Sequence, residues 1–142
     1  MAIFEKTYAS AISAESELMA DLRCLLADHE VEAWLQHRFV LIVSEAFTNA
    51  VVHGNRGNPE KHIIVAVGIN ADRLTADIID QGDGSPDRIE ARPSTSSTAE
   101  GGRGIDLIKH FASRVKIDRP GDKGMRVSIT LDRAKSKNQQ RV

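Results

Sequence analysis

The stretch that most constrains this chain is Leu41 to Asn55, LIVSEAFTNAVVHGN. Ile42, Val43, Ala46, Phe47, Ala50 and Val51 recur with helical period, so the stretch reads as a helix with a core-facing side. Glu45, Asn49 and His53 fall four residues apart along one stripe of it, consecutive members lying about 6 Å apart along the axis. A buried carboxylate without a partner is costly or neutralises. A stripe of acid, amide and imidazole on an apolar helix therefore calls for water, a metal or a ligand. His53-Gly54-Asn55 closes the helix, and Gly54 suits a left-handed C-cap. For His53, a helix-end role against a backbone carbonyl outweighs a ligand role.

The rest of the chain supplies a frame for that helix. With 142 residues it is sized for one domain with a proper core. We expect that domain over residues 1–134, followed by a polar, basic tail over 135–142. Ile3 to Ala9 is a weakly alternating strand. Ser13 to Asp28 is an amphipathic helix carrying Leu18, Leu22, Leu25 and Leu26 on one side, with Ser13 as a loose N-cap. Glu32 to His53 is the long second helix. His62 to Ile69 is apolar on both faces, as an interior strand would be, and Leu74 to Asp80 follows after a short polar turn as its hairpin partner. Gly101 to Phe111 returns to helix, and Val115 to Asp118 with Met125 to Leu131 closes the chain as strands. The predicted fold is an α/β two-layer sandwich, with a mixed, mostly antiparallel sheet covered on one face by helices.

Composition excludes several classes. The net charge of -1 argues against nucleic acid as a direct partner. One cysteine, Cys24, leaves no disulfide framework within the chain. Glu5 and Lys6 interrupt any leading apolar run, and no stretch reaches the roughly 20 apolar residues of a membrane span. A soluble, cytoplasmic protein that does not engage membranes is expected.

Two glycine-rich segments join the helix stripe as candidates for chemistry. Asp80-Gln81-Gly82-Asp83-Gly84 breaks an apolar strand, leaving Asp80 as an acceptor for a base amine beside glycines that let a ring approach the backbone. Gly101-Gly102-Arg103-Gly104 opens a helix, where free N–H groups and the positive dipole end suit phosphate. No Gly-Lys-Ser/Thr follows, so this is not a P-loop, and no strand leads directly into the glycines as in a dinucleotide fingerprint. Any one of the three pieces alone reads as ordinary structure. Together they favour a functional reading for Glu45 and Asn49. Ser85 to Glu100, with the run Ser94 to Thr98, reads equally as a flexible linker or as a lid between the glycine segments.

Here the chain resembles a known family. Glu45-Ala46-Phe47-Thr48-Asn49-Ala50-Val51-Val52-His53-Gly54-Asn55 resembles the N box of the GHKL ATPases, which include histidine kinases, type II topoisomerases and Hsp90 chaperones. Asp80 to Gly84 is similar to their first glycine box, and Glu100 to Ile108 to their second. The E-A-x-x-N-A-x-x-H-G form and the chain's small size are most similar to the anti-sigma-factor serine/threonine kinases. The resemblance spans roughly Phe4 to Leu131 and implies the Bergerat-type ATP-binding fold.

The resemblance also implies roles. ATP and Mg²⁺ would be the cofactors. Asn49 would coordinate the Mg²⁺ and so help bind the nucleotide, and Glu45 would be the catalytic base for a serine hydroxyl or a water. Asp80 would bind the adenine amine, Gly82 and Gly84 would line the base, and Gly101, Gly102, Gly104 and Ile105 would belong to the phosphate segment. Arg103 would face either the phosphates or solvent. The implied partners are a STAS-domain anti-sigma-factor antagonist as phosphoacceptor, a sigma factor, and a second copy in a homodimer, with Ile3 to Ala9 as a candidate dimer edge. The chain departs from the family pattern twice. Gly124-Met125 stands where many members have Gly-Thr, and Ala99-Glu100 stands where some kinases have an arginine. Two alternatives therefore accompany the kinase reading: an ATP-binding module that sequesters a partner with little transfer, and a detached sensor histidine kinase catalytic domain.

Overall fold

The structure, a computed structural model, describes residues 2–82 and 100–133, excepting the side chains of 100–105. The expected lid residues 85–99 and tail 135–142 lie outside the described residues. Strand β1 spans Phe4–Ala9, and a single 3-10 turn at Ile12–Ala14 leads into helix α1, Glu15–Asp28. Helix α2 spans Ala33–Asn49 and continues as a π-helical turn over Ala50–Gly54. Strands β2 (His62–Ile69) and β3 (Arg73–Ile79) follow, then helix α3 (Glu100–Phe111), β4 (Arg114–Asp118) and β5 (Arg126–Asp132).

The five strands form one sheet in the order β1-β2-β3-β5-β4. Every ladder in it is antiparallel, so the expected mixed component does not occur among the described strands. The sheet is placed by alternation. In β2 the side chains of Ile63, Val65 and Val67 are buried while Ile64 and Ala66 are half-buried; Leu74, Ala76 and Ile78 in β3 and Val127, Ile129 and Leu131 in β5 follow the same rule. Their buried face meets Leu18, Leu22 and Leu26 of α1 and Leu35, Phe39, Ile42, Val43 and Phe47 of α2 in one continuous core. Tyr8 of β1 joins it edge-on to Phe47, ring centroids 5.9 Å apart. This is the two-layer α/β sandwich expected from the sequence, with helices on one face.

Local differences have physical causes. Ser13 does not cap α1. The chain enters through the 3-10 turn, Ala14 takes the cap position without a side-chain bond, and Glu15 and Glu17 supply the first-turn acids. Leu25 is only half-buried beside the fully buried Leu18, Leu22 and Leu26. The β2–β3 turn forms as an Asx turn: Asn70 Oδ1 accepts from the N–H groups of Asp72 and Arg73 at 2.8 and 2.9 Å. Among the described residues no helix is long and apolar enough to cross a membrane.

Candidate functional site

The site grows out of the end of α2. Glu45 is half-buried, and Asn49 is buried at 6 % exposure. Beyond Asn49 the backbone widens. The N–H of Asn55 reaches back five residues to the carbonyl of Ala50 at 2.8 Å, as a π turn requires. His53 lies within that turn and is half-buried. Asn55 anchors the arrangement. Its amide nitrogen donates to Ser10 Oγ at 2.9 Å and to the His62 carbonyl at 3.1 Å, and its amide oxygen accepts from the Gln81 N–H at 2.8 Å. One buried side chain thereby ties the helix end to the ends of β1, β2 and β3.

Asp80 sits immediately beyond β3, buried at 3 % exposure. Its Oδ1 accepts from the N–H groups of Gly82 at 3.0 Å and Met125 at 3.1 Å, while its own N–H donates to the Met125 carbonyl at 3.0 Å. Glycines permit this packing. A Cβ at Gly54 would lie 2.1 Å from Asp80 Oδ2, and one at Gly82 would lie 1.9 Å from the Gly54 carbonyl oxygen. Gly124 combines a φ of +87° with an approach that would put a Cβ 2.3 Å from the Asp80 carbonyl oxygen. The expected left-handed cap at Gly54 is therefore replaced by a steric reason. The positive-φ glycines among the described residues are Gly57 and Gly124, and Gly54 is required because the Asp80 carboxylate lies against its backbone.

Between Asn49 and Asp80 lies a narrow cavity of ≈ 10 Å³, room for about one water. Ala46 and Ala50 form its helix wall, Ile78 and Val127 its sheet wall, and Ile108 of α3 and Met125 complete it. Apolar walls suit a flat ring, and the buried Asp80 carboxylate can accept from a ring amine. Asn49 lies on the wall with its amide nitrogen lacking a partner among the described residues. Trp34 Nε1 and Arg133 Nε are buried in the same state, and each such unmade bond in the interior costs about 1–3 kcal/mol. Glu45 stands one turn before the cavity and does not line it. Burial, and secondarily the charge of Glu15, push its carboxyl above the usual glutamate range.

The structure thus brings Asn49, Asp80 and Gly82 together, with Glu45 a turn away. Gly84 lies outside the described residues. Gly101, Gly102, Arg103, Gly104 and Ile105 occupy the first turns of α3, whose Ile108 reaches the cavity. Sequence reasoning gave Ala46 and Ala50 only to the core-facing side of the helix and left Ile78 and Val127 within strands, because a wall facing a cavity and a wall facing other side chains share one periodicity. Asn55 was missed as an anchor. Its signal was an amide just past an apolar helix, obscured by the Gly57-Asn58-Pro59 loop that follows.

A family profile for the histidine kinase-like ATPase domain matches residues 9–131. The anti-sigma F factor of Bacillus subtilis (strain 168) is 32% identical over 100 residues, 68% of this chain and 68% of that protein. The anti-sigma F factor of Oceanobacillus iheyensis is 33% identical over the same shares. Among solved structures, the RsbU and RsbW domains of a Mycobacterium tuberculosis protein align with a TM-score of 0.66 at 22% identity, covering 90% of this chain and 31% of that one. The histidine kinase domain of a blue-light activated histidine kinase from Erythrobacter litoralis aligns at 0.55 and 21% identity, covering 72% and 46%. The chain spans less than half the length of either solved chain, and at these identities the likeness is one of fold. The profile and the curated relatives together place the protein in the histidine kinase-like ATPase family, within its anti-sigma-factor group.

Proposed function

We propose that the protein is an ATP- and Mg²⁺-dependent serine/threonine kinase and anti-sigma factor that phosphorylates a STAS-domain antagonist. One observation carries the reading. One apolar cavity is lined by a buried amide, Asn49, whose nitrogen has no partner among the described residues, and by a buried carboxylate, Asp80. Family membership implies ATP, and the donor set fits it. The apolar walls would suit the adenine ring, the Asp80 carboxylate its exocyclic amine, and the neutral amide oxygen of Asn49 a hard cation. Among the described residues no three His, Cys, Asp or Glu side chains gather to hold a metal alone.

Bound Mg-ATP supplies the γ-phosphoryl group and the charge neutralisation for its transfer. Each chain residue then has one task. Asp80 orients the base, with Gly82 beside it. The free amides of Gly101 and Gly102 in the first turn of α3 would meet the phosphates, with Arg103, Gly104 and Ile105 in the same segment. Asn49 positions the metal. Glu45 accepts the proton of the attacking hydroxyl, a role suited to a carboxyl held above its ordinary range. In this reading residues 1–134 form the functional domain, a sigma factor is the alternate partner, and β1, which lies at a sheet edge, is the candidate contact of a cytoplasmic homodimer.

Incubation with Mg-ATP and a STAS-domain antagonist, followed by mass-spectrometric site mapping, tests the claim. Phosphate on a serine or threonine supports it, and absence of transfer opposes it. A second reading is a partner-sequestering module with little transfer. It is favoured by Met125, an apolar side chain in the cavity wall where many family members carry threonine. Tight ATP binding by calorimetry without turnover on any antagonist would select it. Acid-labile phosphate on a histidine of another chain would instead select a detached sensor-kinase domain.

A further inference from the structure

Glu15 opens α1, and its carboxylate reaches across to α2. Its Oε2 accepts hydrogen bonds from the Ser44 hydroxyl and, at 3.4 Å, from Thr48 Oγ1. Ser44 immediately precedes Glu45, and Thr48 immediately precedes Asn49. One carboxylate thus grips the two successive turns of α2 that carry the base and the amide of the proposed site.

Stability alone gives a poor account of a carboxylate here. Glu17 also serves the dipole of the first turn, and a neutral amide would accept the same two hydroxyl bonds. The Glu15 charge moreover opposes ionisation of Glu45, an arrangement that favours function over stability. α3, the other helix packed on α2, brings the described charges Asp106 and Lys109, and neither has a comparable effect on Glu45.

We propose that Glu15 is a positioning residue for phosphoryl transfer, holding through Ser44 and Thr48 the turns of α2 that carry Glu45 and Asn49. The inference rests on the kinase reading of Glu45 but can be tested apart from it.

The experiment uses the full chain with Glu15→Gln and Glu15→Ala. The first measurement needs neither nucleotide nor substrate: a carbon-13 NMR titration of the Glu45 side-chain carboxyl. In Glu15→Gln, which keeps an oxygen acceptor for the hydroxyls, Glu45 titrates at lower pH than in the parent protein. The second is steady-state kinetics. Glu15→Ala lowers kcat by about tenfold through misplacement of the base, with any rise in KM for ATP smaller than that fall. In Glu15→Gln the acidic limb of the kcat–pH profile moves to lower pH together with the NMR titration, a shift that a merely structural role would not produce. An unchanged Glu45 titration in Glu15→Gln overturns the proposal. So does a Glu15→Ala protein whose kcat is intact, or whose ATP KM rises in place of a fall in kcat. If the parent protein moves phosphate to no hydroxyl, the kinase reading fails, and the titration still decides whether Glu15 acts on Glu45.

Discussion

Position 54 has no room for a methyl group, since a Cβ would lie 2.1 Å from Asp80 Oδ2. Gly54→Ala should destabilise the fold by about 1–3 kcal/mol, read as a lower urea midpoint. It should also weaken ATP binding, because the displaced carboxylate is the proposed base acceptor. Glu45 carries a different prediction. Its carboxyl is raised by burial and by Glu15, so the folded protein holds that proton more tightly than the unfolded chain does. Its contribution to stability is present at low pH and is lost as pH rises through the raised folded value. Glu45→Gln should therefore raise the melting temperature at neutral pH while costing transfer about 10²–10⁴-fold. A functional carboxyl of this kind commonly trades stability for activity. Glu45, Asn49 and Asp80 stood out in the sequence as polar residues within apolar elements, and the structure places Asn49 and Asp80 on one cavity. The role of Gly54 was not legible there, since its reason is a carboxylate 26 positions later in the chain.

At the scale of elements, the end of α2 is set by partners distant in sequence. Asn55 bonds to Ser10, His62 and Gln81, and the π turn is the backbone's way of bringing it there. Asn55→Ala removes those bonds from a buried site. It should cost roughly 2–4 kcal/mol, measurable by denaturant unfolding, with the loss felt at the junction of β1, β2 and β3. Period-two alternation announced β2 and β5 because one face of each meets the core. A π turn leaves no comparable pattern, and the sequence therefore reads as one α-helix running through to His53. The N-terminus of α1 was misread for a similar reason. Ser13 has the chemistry of a cap, but the 3-10 turn carries the chain past it, and no side-chain bond forms at Ala14.

Over the whole molecule, adjacent hairpins were readable and the closing order was not. The short Asn70 turn fixes β2 beside β3. The insertion of β5 between β3 and β4 depends on pairings across α3, such as Ile78 with Val127, which no local signal encodes. Two ion-pair groups hold the sheet's outer strands. Arg126 forks onto Asp118 at 2.9 and 2.7 Å between β5 and β4, and its hydrogen bonds hold the Asp118 carboxyl below the usual range. Burial tends to raise Asp21, but hydrogen bonds from Lys6 and Tyr8 of β1 outweigh it and hold that carboxyl low as well. For both acids the unfolded chain binds the proton more tightly. Their stabilisation is full at neutral pH and is lost as pH falls through and below about 4. Urea midpoints followed from pH 7 to pH 3 should decline, and an Asp21→Asn/Asp118→Asn variant should show a shallower decline from a lower starting point.

The central claim is that α2 divides binding from chemistry, with Asn49 holding Mg-ATP and Glu45 moving the proton. The most direct test follows phosphate transfer from ATP to a STAS-domain antagonist by mass spectrometry, with Mg-ATP binding measured by calorimetry on the same Glu45→Ala and Asn49→Ala proteins. The account predicts serine or threonine phosphate from the parent protein, bound ATP without transfer from Glu45→Ala, and no Mg-ATP binding by Asn49→Ala. Transfer by Glu45→Ala at the parent rate, or full Mg-ATP affinity in Asn49→Ala, would contradict it.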